Sequence, residues 1–370
     1  DCGMADAAWS NAKNGFAFTL DHKAAYLLFL PRTSNTILQG CYLTKVEVNS
    51  DNDITSTYTL NPTTGELTGT GTGKQIIVST GGSGTYANGF PLSAATNGAY
   101  VVIKPGTHIL KIRYWLKDVA TGIEGTITKT LPSATYDQNK YYNITANLDV
   151  RVYDGDHYYM WDAQEQYWKG HEWSLGGSQP TLSQGLTGAT TSNDYAKSNA
   201  DSRYYNESFT YGADNKATHT SCKDLPNVNE MTWYVAKGEP RWDADELWTT
   251  MGRLYKGGMW FKKKANISGY NPNTAVDGND WRTDIVSGNI GSISYTLPSA
   301  ADAGNYFYLP ALGAYVSGQL HNVGNVGRYW LSSAPTRYRN NAYILYFGSG
   351  ILFVGATDRT TGLWAEALFE

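Results

Sequence analysis

The sequence predicts two domains, an all-β antiparallel sandwich over residues 1–152 followed by an α+β domain over residues 153–370. Three observations predict this. A chain of 370 residues exceeds what one hydrophobic core ordinarily serves. Its N-terminal part carries apolar–polar alternation at the period of a strand. Its composition, with 28 Tyr, 12 Trp and 39 Gly against 17% charged residues, suits short strands joined by many loops.

From Gly15 to Val150 the pattern is almost wholly β. Leu110, Ile112, Tyr114 and Leu116 alternate with Lys111, Arg113 and Lys117, which assigns one row to a core and the other to water. Tyr142, Ile144, Ala146, Leu148 and Val150 alternate in the same way with Asn143, Thr145, Asn147 and Asp149. Turn signals at Asn61–Gly65, Lys104-Pro105-Gly106 and Thr121-Gly122 separate the strands at the spacing of an antiparallel sandwich.

The interdomain joint falls near Val152 to Asp156. Residues 174–221 are dominated by Gly, Ser, Thr, Asn and Asp, with Leu175, Leu182 and Leu186 the only aliphatics larger than Ala. Such a stretch cannot bury a core of its own and reads as a polar insertion in the second domain. Asp243 to Gly252 begins with acids and ends at Gly, and Leu247, Met251 and Leu254 recur at helical spacing, so a helix is expected there. Ala342–Phe347, Gly348-Ser349-Gly350 and Ile351–Val354 predict a hairpin, and Leu363 to Phe369 a closing strand.

The net charge of −4, with both signs interspersed, leaves no field to hold nucleic acid or an anionic membrane surface. The longest apolar run, Ala24 to Leu30, is far short of the roughly 20 residues that span a bilayer. The start at Asp1 without a signal peptide is expected for a mature or trimmed form. Three cysteines, Cys2, Cys41 and Cys222, make neither a disulfide framework nor a metal set; a Cys2–Cys41 pair stays open and Cys222 is solitary.

An ordered set of motifs in the second part carries a resemblance. These are Tyr159-Met160-Trp161-Asp162-Ala163, Cys222 to Pro226 with Asn229-Glu230-Met231, Leu247-Trp248, Gly257-Gly258, Phe307 to Ala311, Gly324 to Ser333, Ala342 to Phe347, and Arg359 with Gly362. Spanning about 210 residues, they resemble the Fibrobacter succinogenes major paralogous domain family, which implies a C-type-lectin-like fold. Members of that family close with an Arg four residues after the final Gly, where this chain has Glu366. Phe16 to Leu30 and Tyr141 to Leu148 resemble the fimbrillin-like (Mfa-like) proteins of Bacteroidetes. That resemblance implies a transthyretin-like sandwich, lipoprotein export to the surface of a Gram-negative cell, trimming after Arg or Lys, and assembly with other pilin subunits by β-strand donation. A lectin-like second module implies a pilus tip or accessory subunit.

Catalytic chemistry finds little support. The histidines are scattered, no H-E-x-x-H or G-x-S-x-G is present, and Cys222 stands alone where formylglycine-generating relatives use a cysteine pair. Carboxylates such as Asp277, Asp280 and Asp284 read as loop and turn residues before they read as a glycosidase pair. Neither Glu239-Pro240-Arg241 nor Asp51-Asn52-Asp53 has full calcium ligand spacing. No enzyme activity, cofactor or metal is expected.

Metal-free ligand binding needs aromatic faces beside amide, carboxylate and guanidinium groups. Three loops offer them: Arg337-Tyr338-Arg339-Asn340, Asp280-Trp281-Arg282, and Gln319 with His321 and Asn322. Trp330, Trp248, Trp233 and Trp260 lie in apolar contexts and belong to a core, while Trp281 divides evenly between core and site. The function expected is a cell-surface adhesin binding a host or microbial glycan or protein. A structural pilin or surface lipoprotein touching only its neighbours is the alternative, and a glycan-acting enzyme the third.

Overall fold

The computed structural model describes residues 1–69, 73–80, 98–182, 190–207, 216–283 and 287–370. Strands hold 43% of residues and helices 7%, in several sheets and, among the described residues, no barrel, so the fold is β-rich. The chain divides into two compact units, Asp1–Asp149 with Ser299–Gly304, and Val150–Pro298 with Asn305–Glu370. Leu186 and Asp284 lie outside the described residues. Among the described residues no helix is long and apolar enough to cross a membrane.

In the first unit Ala25–Arg32 is the centre of a three-stranded sheet. Ala99–Ile103 pairs with it antiparallel on one side and Tyr141–Asn147 parallel on the other. The parallel pair corrects the expectation of a purely antiparallel sandwich. A parallel neighbour needs a long crossover, and here the chain between the two strands supplies it by building the second sheet. That sheet runs Glu124–Tyr136, Gly106–Asp118, Cys41–Ser50 and Gln75–Ser79, with every neighbour antiparallel. Leu110, Ile112, Tyr114 and Leu116 are all buried, and the Tyr114 ring meets Phe29 of the other sheet edge-on at 6.1 Å.

The opposite row is not simply in water. Lys111 and Arg113 are buried; Arg113 donates to Thr126 Oγ1 at 2.8 Å and lies 5.4 Å from the Trp115 ring. The alternation of Tyr142 to Leu148 holds, with Asn143, Thr145 and Asn147 exposed. Asp149 then closes the strand end by accepting from Ser34 Oγ at 2.6 Å, Thr33 Oγ1 at 2.7 Å and the Ser34 amide at 2.7 Å. These bonds, that of the Ser34 hydroxyl first, hold its carboxyl well below the usual range. All three cysteines are free, so no Cys2–Cys41 bridge forms; burial pushes the Cys41 thiol up to about 12.

The second unit holds a five-stranded sheet in the order Tyr158–Tyr159, Leu363–Trp364, Val326–Trp330, Asn341–Gly348 and Ile351–Asp358. The last two form the expected hairpin, with Gly348 opposite Ile351. The closing strand is only Leu363–Trp364. A second sheet contains Arg241–Thr250, Lys262-terminated Arg253–Lys262 and Tyr306–Pro310.

The segment expected as a helix is therefore a strand. From Glu246 to Thr250 every residue is buried, so both faces of the strand are covered and its run of apolar residues mimics helical spacing. Asp243 Oδ1 accepts from the Asp245 and Glu246 amides at 3.0 and 3.2 Å, where the strand pairing slips. Gly252, expected to end a helix, is instead the second residue of a two-residue turn between Thr250 and Arg253. Met251 (φ 46°) and Gly252 (φ 70°) both have the positive φ of a type I′ hairpin.

Among the described residues an α-helix lies earlier, at Val228–Lys237, started by a capping box. The Asn227 side chain accepts from the Glu230 amide at 3.1 Å and Glu230 Oε2 accepts from the Asn227 amide at 2.7 Å. Val228, Met231, Tyr234 and Val235 then face the core.

Replacing Asn227 by Ala removes this cap and the 3.0 Å bond from Asn227 Nδ2 to Pro272 O. A loss of about 1–2 kcal/mol in denaturant melts is expected, and an unchanged midpoint would show that the cap is dispensable. Residues 150–370 expressed alone should unfold in one cooperative transition, because their aromatic core is drawn from this unit. A broad, non-cooperative melt would contradict that.

Candidate functional site

Strands Val326–Trp330 and Asn341–Gly348 carry residues 331–340 between them. Leu331 to Pro335 are buried, Thr336 is half-buried, and Arg337 to Asn340 are exposed, Tyr338 by 56%. The base of the loop is fixed from below. Arg359 is fully buried, its guanidinium 4.4 Å from the Trp161 ring, while its amide donates to Asn340 O at 2.7 Å and its Nε to Asn341 O at 3.0 Å. A rigid foot thus presents two arginines and a tyrosine to solvent.

The loop holding Asp280, Trp281 and Arg282 adjoins it, since Thr336 Oγ1 donates to Thr283 O at 3.4 Å. Its polar groups serve the fold. Asp280 receives Arg282 through two bonds of 2.8 and 2.7 Å and Asn229 Nδ2 at 2.8 Å, holding its carboxyl down at about 2, chiefly through Arg282. Trp281 is 3% exposed, with Nε1 donating to Asp277 Oδ2 at 3.0 Å, so its ring belongs to the core and offers no stacking face. Among the other tryptophans read as core, Trp330 and Trp248 are buried; Trp233 and Trp260 are half-buried, each with its Nε1 donated.

The third candidate group lies on the hairpin Ala314–Val316 and Gln319–His321, which sits beside residues 191–192 through the bridge of Thr191 with Gln319. Gln319 and His321 are half-buried. Asn322 is exposed and has φ of 60°, opening a turn in which its carbonyl accepts from Asn325 and Val326, both at 3.0 Å. An asparagine tolerates that left-handed backbone, so its identity has a structural reason.

Glu239 of the calcium-like tripeptide is held down at about 2, first by Lys262 and then by Tyr306, with Arg241 adding a bond at 2.8 Å. Asp51 and Asn52 are tied to Ile109 and Thr107 at 2.9 Å each. Among the described residues no group of three His, Cys, Asp or Glu is placed to hold a metal ion. Glu366, standing where the resembled family has Arg, pairs with Arg151.

Sequence reading missed a cleft of about 620 Å³ between residues 154–159 and 165–179. Trp173 and exposed Leu175 were its signal: two large apolar residues inside a polar, glycine-punctuated stretch.

No family model matches the chain, and no curated protein does. Among solved structures it is similar to a provisionally assigned cell adhesion protein from Bacteroides ovatus, with 14% identity and a TM-score of 0.24. The match covers 39% of this chain and 55% of that one, so the chain spans about half the length of the protein it matches.

Asp280 and Glu239 both have folded values depressed below ordinary values of 3.8 and 4.5. Their contribution to stability is therefore complete above about pH 4.5 and is lost as pH falls toward 2. Asp280→Asn should lower stability at pH 7 and flatten the acid-side decline in denaturant midpoints. An unaltered slope between pH 5 and pH 2.5 would show that Asp280 does not contribute to the acid lability.

Proposed function

We propose that the chain is a cell-surface adhesin of a Gram-negative bacterium, its second unit presenting a ligand face and its first unit joining an assembly. The observation that supports this reading most is the contrast within residues 331–340. Five consecutive buried residues anchor a tip on which Arg337, Tyr338 and Arg339 stand together in solvent. Side-chain entropy opposes ordering the exposed Tyr338 and Arg339 side chains, so burial gives no reason for their place at the tip. A partner with hydroxyl, carbonyl or carboxylate acceptors does, whether glycan or protein.

The first unit has another kind of surface. Trp9, Phe16 and Phe18 are each more than half exposed on the arm Ala8–Leu20, and Trp9 meets Phe16 edge-on at 5.5 Å. Exposed aromatics gathered in this way favour subunit contact. They also support the second reading, a structural pilin whose contacts are only with neighbouring subunits. The resemblance to fimbrillin-like and lectin-like modules agrees with the first reading, in a tip or accessory position.

Replacing Arg337, Tyr338 and Arg339 together by Ala should leave stability within about 0.5 kcal/mol while abolishing attachment to a glycan array or to immobilised host-cell protein. Full attachment by the folded triple variant would remove this loop from the ligand face. No attachment by the parent chain to either would favour the structural subunit.

A further inference from the structure

The cleft between residues 154–159 and 165–179 has walls held by the fold and a rim that is not. Gln179, buried at its floor, donates to Gly155 O at 3.2 Å and Tyr315 OH at 3.1 Å, and its Oε1 accepts from the Trp173 amide at 3.2 Å. Gln166, also buried, donates to Glu172 Oε1 at 3.0 Å. Trp173 spans the walls, with Nε1 donating to Asp154 O at 2.8 Å. Its six-membered ring lies over Gly252, where an added methyl would meet Cζ3 and Cη2 at 3.4 Å. The ring therefore has a fixed place in the cleft lining, next to Leu175, which is 79% exposed.

Around this apolar strip stand polar groups held only by longer-range charge interactions, Lys169 with Glu172 and Asp154 with His157 and Arg151. No hydrogen bond or ion pair engages the side chains of Asp154, Glu165 or Lys169, or the hydroxyl of Tyr159, among the described residues. They supply two carboxylate acceptors, an ammonium donor and a phenol that donates or accepts. A cation would use only the acceptors and would meet Lys169. A polyol uses both kinds, since each hydroxyl donates and accepts, while the C–H face of a sugar ring covers an indole.

The charge balance narrows the class. Asp154, Asp156, Glu165 and Glu172 line the cleft against Lys169 and His157, and His157 already meets Asp156 at 2.5 Å. An anionic sugar would enter a negative field.

We infer that this cleft is a metal-independent binding site for neutral saccharides, with Trp173 as stacking platform and Asp154, Glu165, Lys169 and Tyr159 reading hydroxyls, and that it rejects sialylated and uronic sugars. The inference rests on the reading of the chain as a surface adhesin and gives that reading a ligand class and a place.

The test uses the full chain, EDTA-treated, against an array of neutral hexose and N-acetylhexosamine oligosaccharides, their sialylated and uronic counterparts, and a lysine-rich peptide. Tryptophan fluorescence titration follows each hit. Neutral sugars should bind, and Trp173→Ala should weaken them by about tenfold or more. Because Trp173 also packs on the fold, the double variant Asp154→Asn, Glu165→Gln supplies an independent reading. It should weaken neutral sugars as well, with an unshifted melting temperature.

Neutral-sugar binding unchanged in both variants but lost in the Arg337, Tyr338, Arg339 triple variant would overturn the cleft while sparing the adhesin. So would attachment to host protein with no saccharide bound. Preference for anionic sugars or for the basic peptide would overturn the ligand class. Binding to nothing on either surface would take the adhesin reading down with it.

Discussion

A buried tyrosine or tryptophan brings one polar atom into a place without water, and in the second unit six such atoms govern where loops run. Trp161 Nε1 donates to Leu331 O at 2.8 Å, Trp330 Nε1 to Tyr159 O at 2.7 Å, and Trp248 Nε1 to Gly257 O at 3.0 Å. Tyr158, Tyr329 and Tyr315 donate to the carbonyls of Leu312, Pro310 and Pro180 at 2.6, 2.6 and 2.8 Å. Leaving any one of these donors unmet would cost about 1–3 kcal/mol. Burial raises the pKa of the Tyr158 and Tyr329 phenols well above 10, so they remain donors at any physiological pH. The acceptors are mostly carbonyls at strand ends and in irregular segments. A composition rich in tyrosine and tryptophan can therefore hold long loops in place without regular secondary structure.

Asp162 solves the remaining problem, how a polar excursion without a core stays folded. Fully buried and with φ of 57°, it accepts from the Thr218 and His219 amides at 2.9 and 2.6 Å. Asn206 Nδ2 and Thr218 Oγ1 fill its other oxygen at 2.9 and 3.0 Å. A buried carboxylate is costly unless every lone pair is used, and here the bonds that satisfy it come from residues some 44 to 57 positions on. The same side chain that would be destabilising alone becomes the clasp of the insertion. Arg203 fastens the middle of it, bonded to Asp201 and to Asp194 O at 2.9 Å.

What could be read from the sequence follows the same physics. The row Leu110 to Leu116 and the hairpin around Ser349 were legible because half-buried strands alternate and two-residue turns declare themselves. Strand Arg241–Thr250 was not, since burial on both faces erases alternation and leaves Leu247, Met251 and Leu254 at a spacing that fits a helix equally well. The true helix start, Asn227 with Glu230, was visible as a capping box but is short and partly polar on its buried face, where Asn229 and Thr232 sit. Burial of Arg113 depended on a partner in the neighbouring strand, Thr126, which no local pattern contains.

The candidate sites were less legible, and the contrast between Trp281 and Trp173 explains why. Each is a tryptophan in a loop beside acidic residues, and each has its indole N–H donated to oxygen. Trp281 donates to Asp277 four residues back, in its own loop, and Asn229 and Tyr343 then grip its backbone, so the loop folds down and the ring sinks into the core. Trp173 donates to the carbonyl of Asp154, nineteen residues away on the facing wall, and so bridges two walls instead of closing one loop. Sequence distance to the acceptor does not by itself sort such rings, since Trp161 finds Leu331 O 170 residues away and is fully buried. Whether a loop aromatic is core or contact surface depends on what else packs against the ring, and that is a property of the assembled fold.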